Sequence, residues 1–265
     1  MNKLKIEHLS IRFTRYTNGI NFRSASNLHP VKDLSIEAVE GELTVILGSS
    51  GSGKTLLANA LTGILPQNAV VAGNIEHNGN PHTFETFFEH HKITFIPQSL
   101  SYLDPLMTIK KQALDIARLN GKSDREGMRA IEAYLQEYRL DRCVLSMYPH
   151  QLSGGMARRV IIILSLLNPA PILVADEPTP GLDEELIDEV WNFLRDNKTG
   201  RINLVITHDL RNALKYADKV YVFDDGRIVD TFEPQKQNYG EFTRRLIACM
   251  PENQFVDYFV EKNHD

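Results

Sequence analysis

Between Lys3 and Phe13 the apolar residues Leu4, Ile6, Leu9 and Ile11 alternate closely with polar ones, and this predicts a strand. Val31 to Ala38 predicts a second strand. The stretch from Thr14 to Pro30 is polar, contains Asn18, Gly19 and Pro30, and reads as a long turn or excursion. After a turn at Glu40-Gly41, Leu43 to Leu47 is a short apolar strand of the buried kind. A helix is expected from about Lys54 to Leu65, stopped by Pro66. Val70 to His77 and Ile93 to Ile96 are further strand candidates. His82, His90 and His91 fall in a polar stretch between them, without acidic ligands at useful spacing, and read as part of a solvated loop.

The middle of the chain changes period. Ile109, Leu114, Ile116 and Leu119, then Met128, Ile131, Leu135 and Tyr138, recur at helical spacing, and a mostly helical lobe is expected over residues 99–150. The remainder alternates. Helices are expected at Gly154 to Leu167, Glu184 to Asp196 and Leu210 to Tyr216. Strands are expected at Ile172 to Ala175, Ile202 to Ile206, Lys219 to Phe223 and Arg227 to Thr231. Such alternation implies parallel strands covered by helices.

Composition narrows this α/β reading. A net charge of −5 offers no basic surface for a nucleic acid, so none is expected as a partner. Cys143 and Cys249 lie far apart and match no metal spacing. The longest apolar run, Val160 to Leu167, is broken by Ser165 and falls well short of the ~20 residues that a membrane-spanning helix needs. The N-terminal residues contain no apolar signal segment, so no signal peptide is expected.

Gly48-Ser49-Ser50-Gly51-Ser52-Gly53-Lys54-Thr55 fits G-x-x-x-x-G-K-[ST], after an apolar strand and before a helix. Glycines let backbone N–H groups approach phosphates, and the following helix turns its positive end toward them. Lys54 would supply charge to the β- and γ-phosphates of ATP, and Thr55 a hydroxyl ligand for Mg²⁺. Ile172 to Glu177 is an apolar strand that delivers two adjacent carboxylates. Asp176 is the candidate for the Mg²⁺ shell and Glu177 for positioning the attacking water.

A second anion-binding pattern follows at Leu152-Ser153-Gly154-Gly155-Met156, a serine able to cap the helix that follows. A chain that already has a phosphate loop would use this second motif in a site shared between two subunits. Here the sequence resembles the ABC transporter ATPases, whose signature is LSGGQ or LSGGM. The resemblance implies a P-loop NTPase ABC cassette with a RecA-like core, an antiparallel β subdomain and a helical subdomain. It assigns residues 1–98 and 151–235 to the core with its β subdomain, 99–150 to the helical subdomain and 236–265 to a C-terminal tail.

By the same resemblance Gln98 looks like the Q-loop glutamine that touches Mg²⁺ and water, and His208 like the switch histidine on the γ-phosphate. Pro180 to Asp183 looks like the D-loop, with Asp183 its acidic residue. An aromatic residue should stack on adenine, and Phe13 and Tyr16 are the candidates, Phe13 first. Two departures stand out: Gly181 where the D-loop usually bears a side chain, and Ala157-Arg158-Arg159 where the family often has glutamine two residues after the signature.

The Q-loop continuation Ser99 to Ile109, the Met156 ending and the segment Gly240 to Pro251 resemble the oligopeptide, dipeptide and nickel importer ATPases. Membership would imply a second ATPase subunit, in this family usually a non-identical one, and two membrane permeases. It would also imply an indirect link to an extracytoplasmic binding protein, and a peripheral place on the cytoplasmic face of the membrane. The lone Cys249, where peptide members carry a cysteine cluster, tilts the expectation toward nickel or another metal chelate over peptides. A soluble ABC ATPase of DNA repair or translation is the alternative.

Overall fold

The computed structural model describes residues 2–18, 23–196 and 198–250. Two sheets organise it. The first is antiparallel, in the order β2 (Arg23–Val39), β1 (Lys3–Asn18), β4 (Ala69–His77), β5 (Asn80–His82). The second has six strands: β10 (Arg227–Phe232), β9 (Lys219–Asp224), β3 (Leu43–Leu47), β8 (Ile202–Thr207), β7 (Ile172–Asp176) and β6 (Ile93–Ile96). Every pairing in it is parallel except the β10 edge. The helices are α1 (Lys54–Thr62), α2 (Phe84–His90), α3 (Ile109–Leu119), α4 (Asp124–Glu137), α5 (Gly154–Leu166), α6 (Glu184–Asp196), α7 (Leu210–Tyr216) and α8 (Glu241–Ala248).

The central sheet is apolar on both faces, as parallel sheets generally are. Leu43, Val45 and Leu47 of β3 pack with Leu173 and Ala175 of β7 against α3 to α7. Ile46, Val174, Leu204 and Ile206 face the other way, onto α1, α2 and the antiparallel sheet. The helical stretch 99–150 contributes Ile109, Ile131 and Leu135 to the first of these clusters, so it shares an apolar core with the central sheet. The C-terminal helix is seated by one carboxylate. Asp230 on β10 accepts from the Gly240 amide at 2.9 Å and from the Thr243 hydroxyl, and Thr243 is fully buried.

Three expectations need correction. Residues 14–18 and 23–30 are strand rather than turn: β1 and β2 continue pairing from Phe13↔Leu28 to Asn18↔Arg23. The third strand, β4, pairs with β1 only as far as Phe13, so the ribbon beyond it has no sheet to cover and needs no apolar face. Polar composition therefore concealed a strand pair. Helix α1 stops at Thr62 because Gly63 turns left-handed (φ +72°) and donates back to Asn59, three residues ahead of the Pro66 expected to end it. A side chain at Gly63 would also strike the Phe88 ring at 2.4 Å.

The third correction concerns the histidine stretch. It holds β5 and α2, the latter capped by Thr83 and anchored by buried Phe84 and Phe87. His91 stacks on Phe87 with ring centroids 4.4 Å apart, and meets the His77 and His82 rings edge-on at 4.6 Å each. The side chain of His90 lies outside the described residues.

Burial, and the neighbouring His91 and His82, push the His77 pKa below its ordinary 6.5. The unfolded chain therefore binds this proton first as pH falls, and stability present above pH 6.5 declines below it. The thermal unfolding midpoint is expected to drop between pH 7.5 and 5.5, and to drop less in His77→Gln, as scanning calorimetry of both proteins would read.

Candidate functional site

Strand β3 ends at Leu47, and the chain turns through Gly48 to Gly53 into α1. The Gly48 amide donates to the Thr207 carbonyl at 3.1 Å, extending the β3–β8 pairing by one residue. A Cβ at Gly48 would lie 2.2 Å from the Phe223 carbonyl oxygen, so this position has no room for a side chain. Gly51 and Gly53 take φ of +78° and +106°, conformations open to glycine. Lys54 is 6% exposed and folds back, its Nζ donating to the carbonyls of Gly48 (2.7 Å) and Ser49 (2.6 Å). Burial pushes its pKa down, while Glu177 and Asp176 pull it up.

Asp176 and Glu177 leave the end of β7, two strands from β3. Asp176 is 1% exposed, and its Oδ1 has no hydrogen-bond partner among the described residues. Burial raises its pKa; a hydrogen bond from Thr55 opposes this and the charge of Glu177 adds to it. Glu177 adopts a left-handed backbone (φ +47°), and its amide donates to Ile206 at 2.8 Å. Such a φ is uncommon outside glycine, and here it turns the side chain away from the β7 ladder. Its carboxylate accepts from Nδ1 of His208 at 2.7 Å and from the Thr207 hydroxyl at 3.1 Å.

These groups share a cavity of about 290 Å³ whose lining includes Ser50, Gly51, Lys54, Thr55, Gln98 and Glu177. The cavity thus unites the phosphate loop, one carboxylate and Gln98. His208 adjoins it through Glu177 but is itself exposed.

The other expected residues are elsewhere. Ser153 caps α5, its hydroxyl accepting from the Met156 amide, and with Gly154 it is exposed. None of Leu152 to Met156 lines the Lys54 cavity. Asp183 caps the start of α6 through the Leu186 amide at 3.0 Å. Phe13 is half-buried against the core between the sheets and does not line the cavity. The side chain of Tyr16 lies outside the described residues.

Two participants escaped the motif reading. Thr207 joins three elements: its carbonyl takes the Gly48 amide, and its hydroxyl donates to Glu177 and accepts from the Asp209 amide. Its one sequence signal is its place before His208. Arg158 is 3% exposed and bonds the carbonyls of Pro97, Gln98 and Pro178. In sequence it stood out only as a departure from an expected glutamine.

A family model described as ABC transporter matches residues 31–180. The chain is 36% identical over 217 residues to a hemin import ATP-binding protein, HrtA, of Staphylococcus saprophyticus, covering 79% of this chain and 95% of that one. It is 31% identical over 245 residues to the oligopeptide transport ATP-binding protein AmiE of Streptococcus pneumoniae, covering 85% and 68%. A peptidoglycan transport ATP-binding protein, YejF, of Agrobacterium fabrum is 35% identical over 84% of this chain, which spans only 44% of that protein. Among solved structures, a dimeric bacterial ABC transporter cassette superposes with a TM-score of 0.71 at 23% identity, over 87% of this chain and 98% of that one, a likeness of fold.

Thr207→Val removes one hydroxyl from a site that is otherwise unchanged in shape. ATP turnover is expected to fall about tenfold while ATP affinity stays within about twofold, with Thr207→Ser near wild type. Steady-state kinetics alongside equilibrium nucleotide binding would show it, and unchanged turnover in Thr207→Val would remove Thr207 from the site.

Proposed function

This chain belongs to the ABC transporter family as an ATP-binding, ATP-hydrolysing subunit, and from that membership we propose that it energises an importer of peptide-class substrates. The observation that carries the reading is a division within one chain. A phosphate-binding cavity is built around Lys54, whereas the Ser153-Gly154-Gly155 turn caps a separate, exposed helix end. Each is half of an ATP site, and a second cassette supplies the complement.

In this reading Gly48 to Thr55 cradle the phosphates, and Lys54 exchanges the Gly48 and Ser49 carbonyls for phosphate oxygens. The unpartnered Asp176 oxygen and the Thr55 hydroxyl beside it suit a hard divalent cation. Mg²⁺ would be held by Asp176, Thr55 and Gln98, and when bound it neutralises phosphate charge. Glu177 orients the attacking water once released from His208 and Thr207, and His208 turns to the γ-phosphate. Asp183 and the signature residues Leu152 to Met156 act across the cassette interface. Phe13 and Tyr16 remain the adenine-stacking candidates.

The permease contact is proposed at a groove of about 490 Å³ between β6 and helices α3 and α5. Phe95, Leu103 and Ile116 line it, and at its rim Tyr102 and Leu119 are 51% and 86% exposed, a surface suited to an apolar helix of a membrane subunit. Segment 99–150 is then the helical lobe that transmits closure, on the 1–98 and 151–235 core, with 236–265 as the tail. Among the described residues no helix is long and apolar enough to cross a membrane, which suits a peripheral subunit at the cytoplasmic face. Two permeases, a non-identical second cassette and an extracytoplasmic binding protein complete the proposed assembly.

Peptide-class cargo rests on the AmiE alignment, which spans 85% of the chain; YejF, aligned over 84%, is named for peptidoglycan transport. A metal chelate is the second reading, favoured by the 36% identity to HrtA, and nickel remains one such cargo. A role in DNA repair or translation has no support from these relatives or from the net charge of −5.

Glu177→Gln is expected to retain ATP, accumulate as a closed dimer on size exclusion, and cut turnover at least about a hundredfold. Hydrolysis near the wild-type rate in the assembled complex would overturn the role given to Glu177. Uptake of labelled oligopeptides, hemin and nickel by a deletion strain would separate the cargo readings: loss of peptide uptake alone is expected.

A further inference from the structure

Strands β6 and β7 lie side by side, in register from Ile93↔Ile172 to Ile96↔Ala175, and both stop at the same edge of the sheet. Proline follows each end, as Pro97 after Ile96 and as Pro178 after Asp176-Glu177. Proline has no N–H to continue a ladder, and the strands diverge there. The carbonyls of Pro97, Gln98 and Pro178 lie just beyond the paired register, and Pro97 and Pro178 are buried, where an unbonded carbonyl is costly.

A single guanidinium fills this gap. Arg158 Nη1 donates to Pro97 O at 2.6 Å and to Gln98 O at 3.1 Å, and Nε donates to Pro178 O at 2.9 Å. Its charge is buried, which lowers its pKa, and Asp176 and Glu177 offset that. One nitrogen, Nη2, has no hydrogen-bond partner among the described residues, so this cation is held at a cost. Arg158 belongs to α5, five residues beyond Ser153 and so about 7.5 Å along the helix axis.

Resting on the cassette reading above, we propose that Arg158 is a positioning residue that locks the Gln98 loop and the Glu177-Pro178 turn to the helix carrying Ser153. The chain's own hydrolytic groups and the signature it lends to a partner are then set by one buried side chain. Glutamine, often found at the corresponding place in related ATPases, has one amide group with two donors. The planar fork of arginine reaches two strand ends at once. Gln98 can swing only within the slack that its own bonded carbonyl allows.

Arg158→Met and Arg158→Gln, each in the full-length chain, test this in two ways. Hydrogen exchange of the isolated chain reads the Gln98, Ser99 and Thr179 amides, since the two prolines have none. Exchange at these amides is expected to rise about tenfold or more while the α5 and β7 amides keep their protection. In the complex co-purified with its membrane partners, kcat is expected to fall about tenfold with KM for ATP within about twofold, and Arg158→Lys to recover part of the loss. Arg158→Gln serves if Arg158→Met does not fold.

Two results would overturn the proposal. One is a folded variant with wild-type exchange at Gln98 and Thr179 and wild-type kcat. The other is exchange rising uniformly through α5 and β7 together with lost ATP affinity, which marks a merely structural arginine. Hydrolysis by the wild-type complex reports separately on the cassette reading, because the exchange measurement needs no turnover.

Discussion

The parallel ladder ends at one edge of the central sheet, and the backbone groups there must be satisfied by one last bond to the neighbouring strand or by a side chain that substitutes for it. The candidate site is built from those substitutions. Gly48 gives its amide to Thr207, Glu177 gives its amide to Ile206, and Arg158 takes the carbonyls of Pro97, Gln98 and Pro178. The first two bonds tie a loop to the end of β8, and Arg158 joins two loops. The loops therefore owe their relative positions to the sheet edge, and a ligand held among them is gripped by a rigid frame.

The same edge concentrates charge. Lys54 and Arg158 face Asp176 and Glu177, and all four are at least nine-tenths buried. Burial pushes Asp176 up and both cations down, and each is restrained by its opposites. Two cations and two carboxylates balance formally before any nucleotide arrives. Triphosphate adds negative charge beside Lys54, which is bonded only to neutral loop oxygens and can turn without leaving a carboxylate unpaired. The Asp176 oxygen without a partner offers the matching place for positive charge.

Much of this was legible in the sequence because it is local. The phosphate loop and the Asp176-Glu177 pair each follow a short, predominantly apolar strand. The cap of α5 by Ser153 also needs only neighbouring residues, and the helices 184–196 and 210–216 fell where their periodicity put them. What failed was non-local. A polar ribbon and a polar turn have the same composition, so residues 14–18 and 23–30 read as turn where the structure has strand. Phe84 and Phe87 anchor a helix too short to show a period, so the histidine stretch passed for a loop. The bonds of Arg158 reach 20 and 60 or more positions away in the chain, and no spacing rule encodes such reach.

The glycine at position 181, a departure from the family pattern, has a conformational cause. Gly181 takes φ +82° with no heavy atom within 4 Å of a Cβ built on it, so backbone strain, not crowding, disfavours a side chain there. Its carbonyl lies 3.4 Å from where a Cβ of Gly155 would stand. The turn that holds Gly181 thus passes close to the Ser153-Gly154-Gly155 turn of the same chain. Arg158 grips the start of that same turn at Pro178. The start of α5 is therefore met twice by the segment that follows Glu177, through the bond from Arg158 to Pro178 and through the close approach of Gly181 to Gly155. Glu177 is joined to both places by the Pro178 to Gly181 backbone, a route that does not pass through the strands beneath.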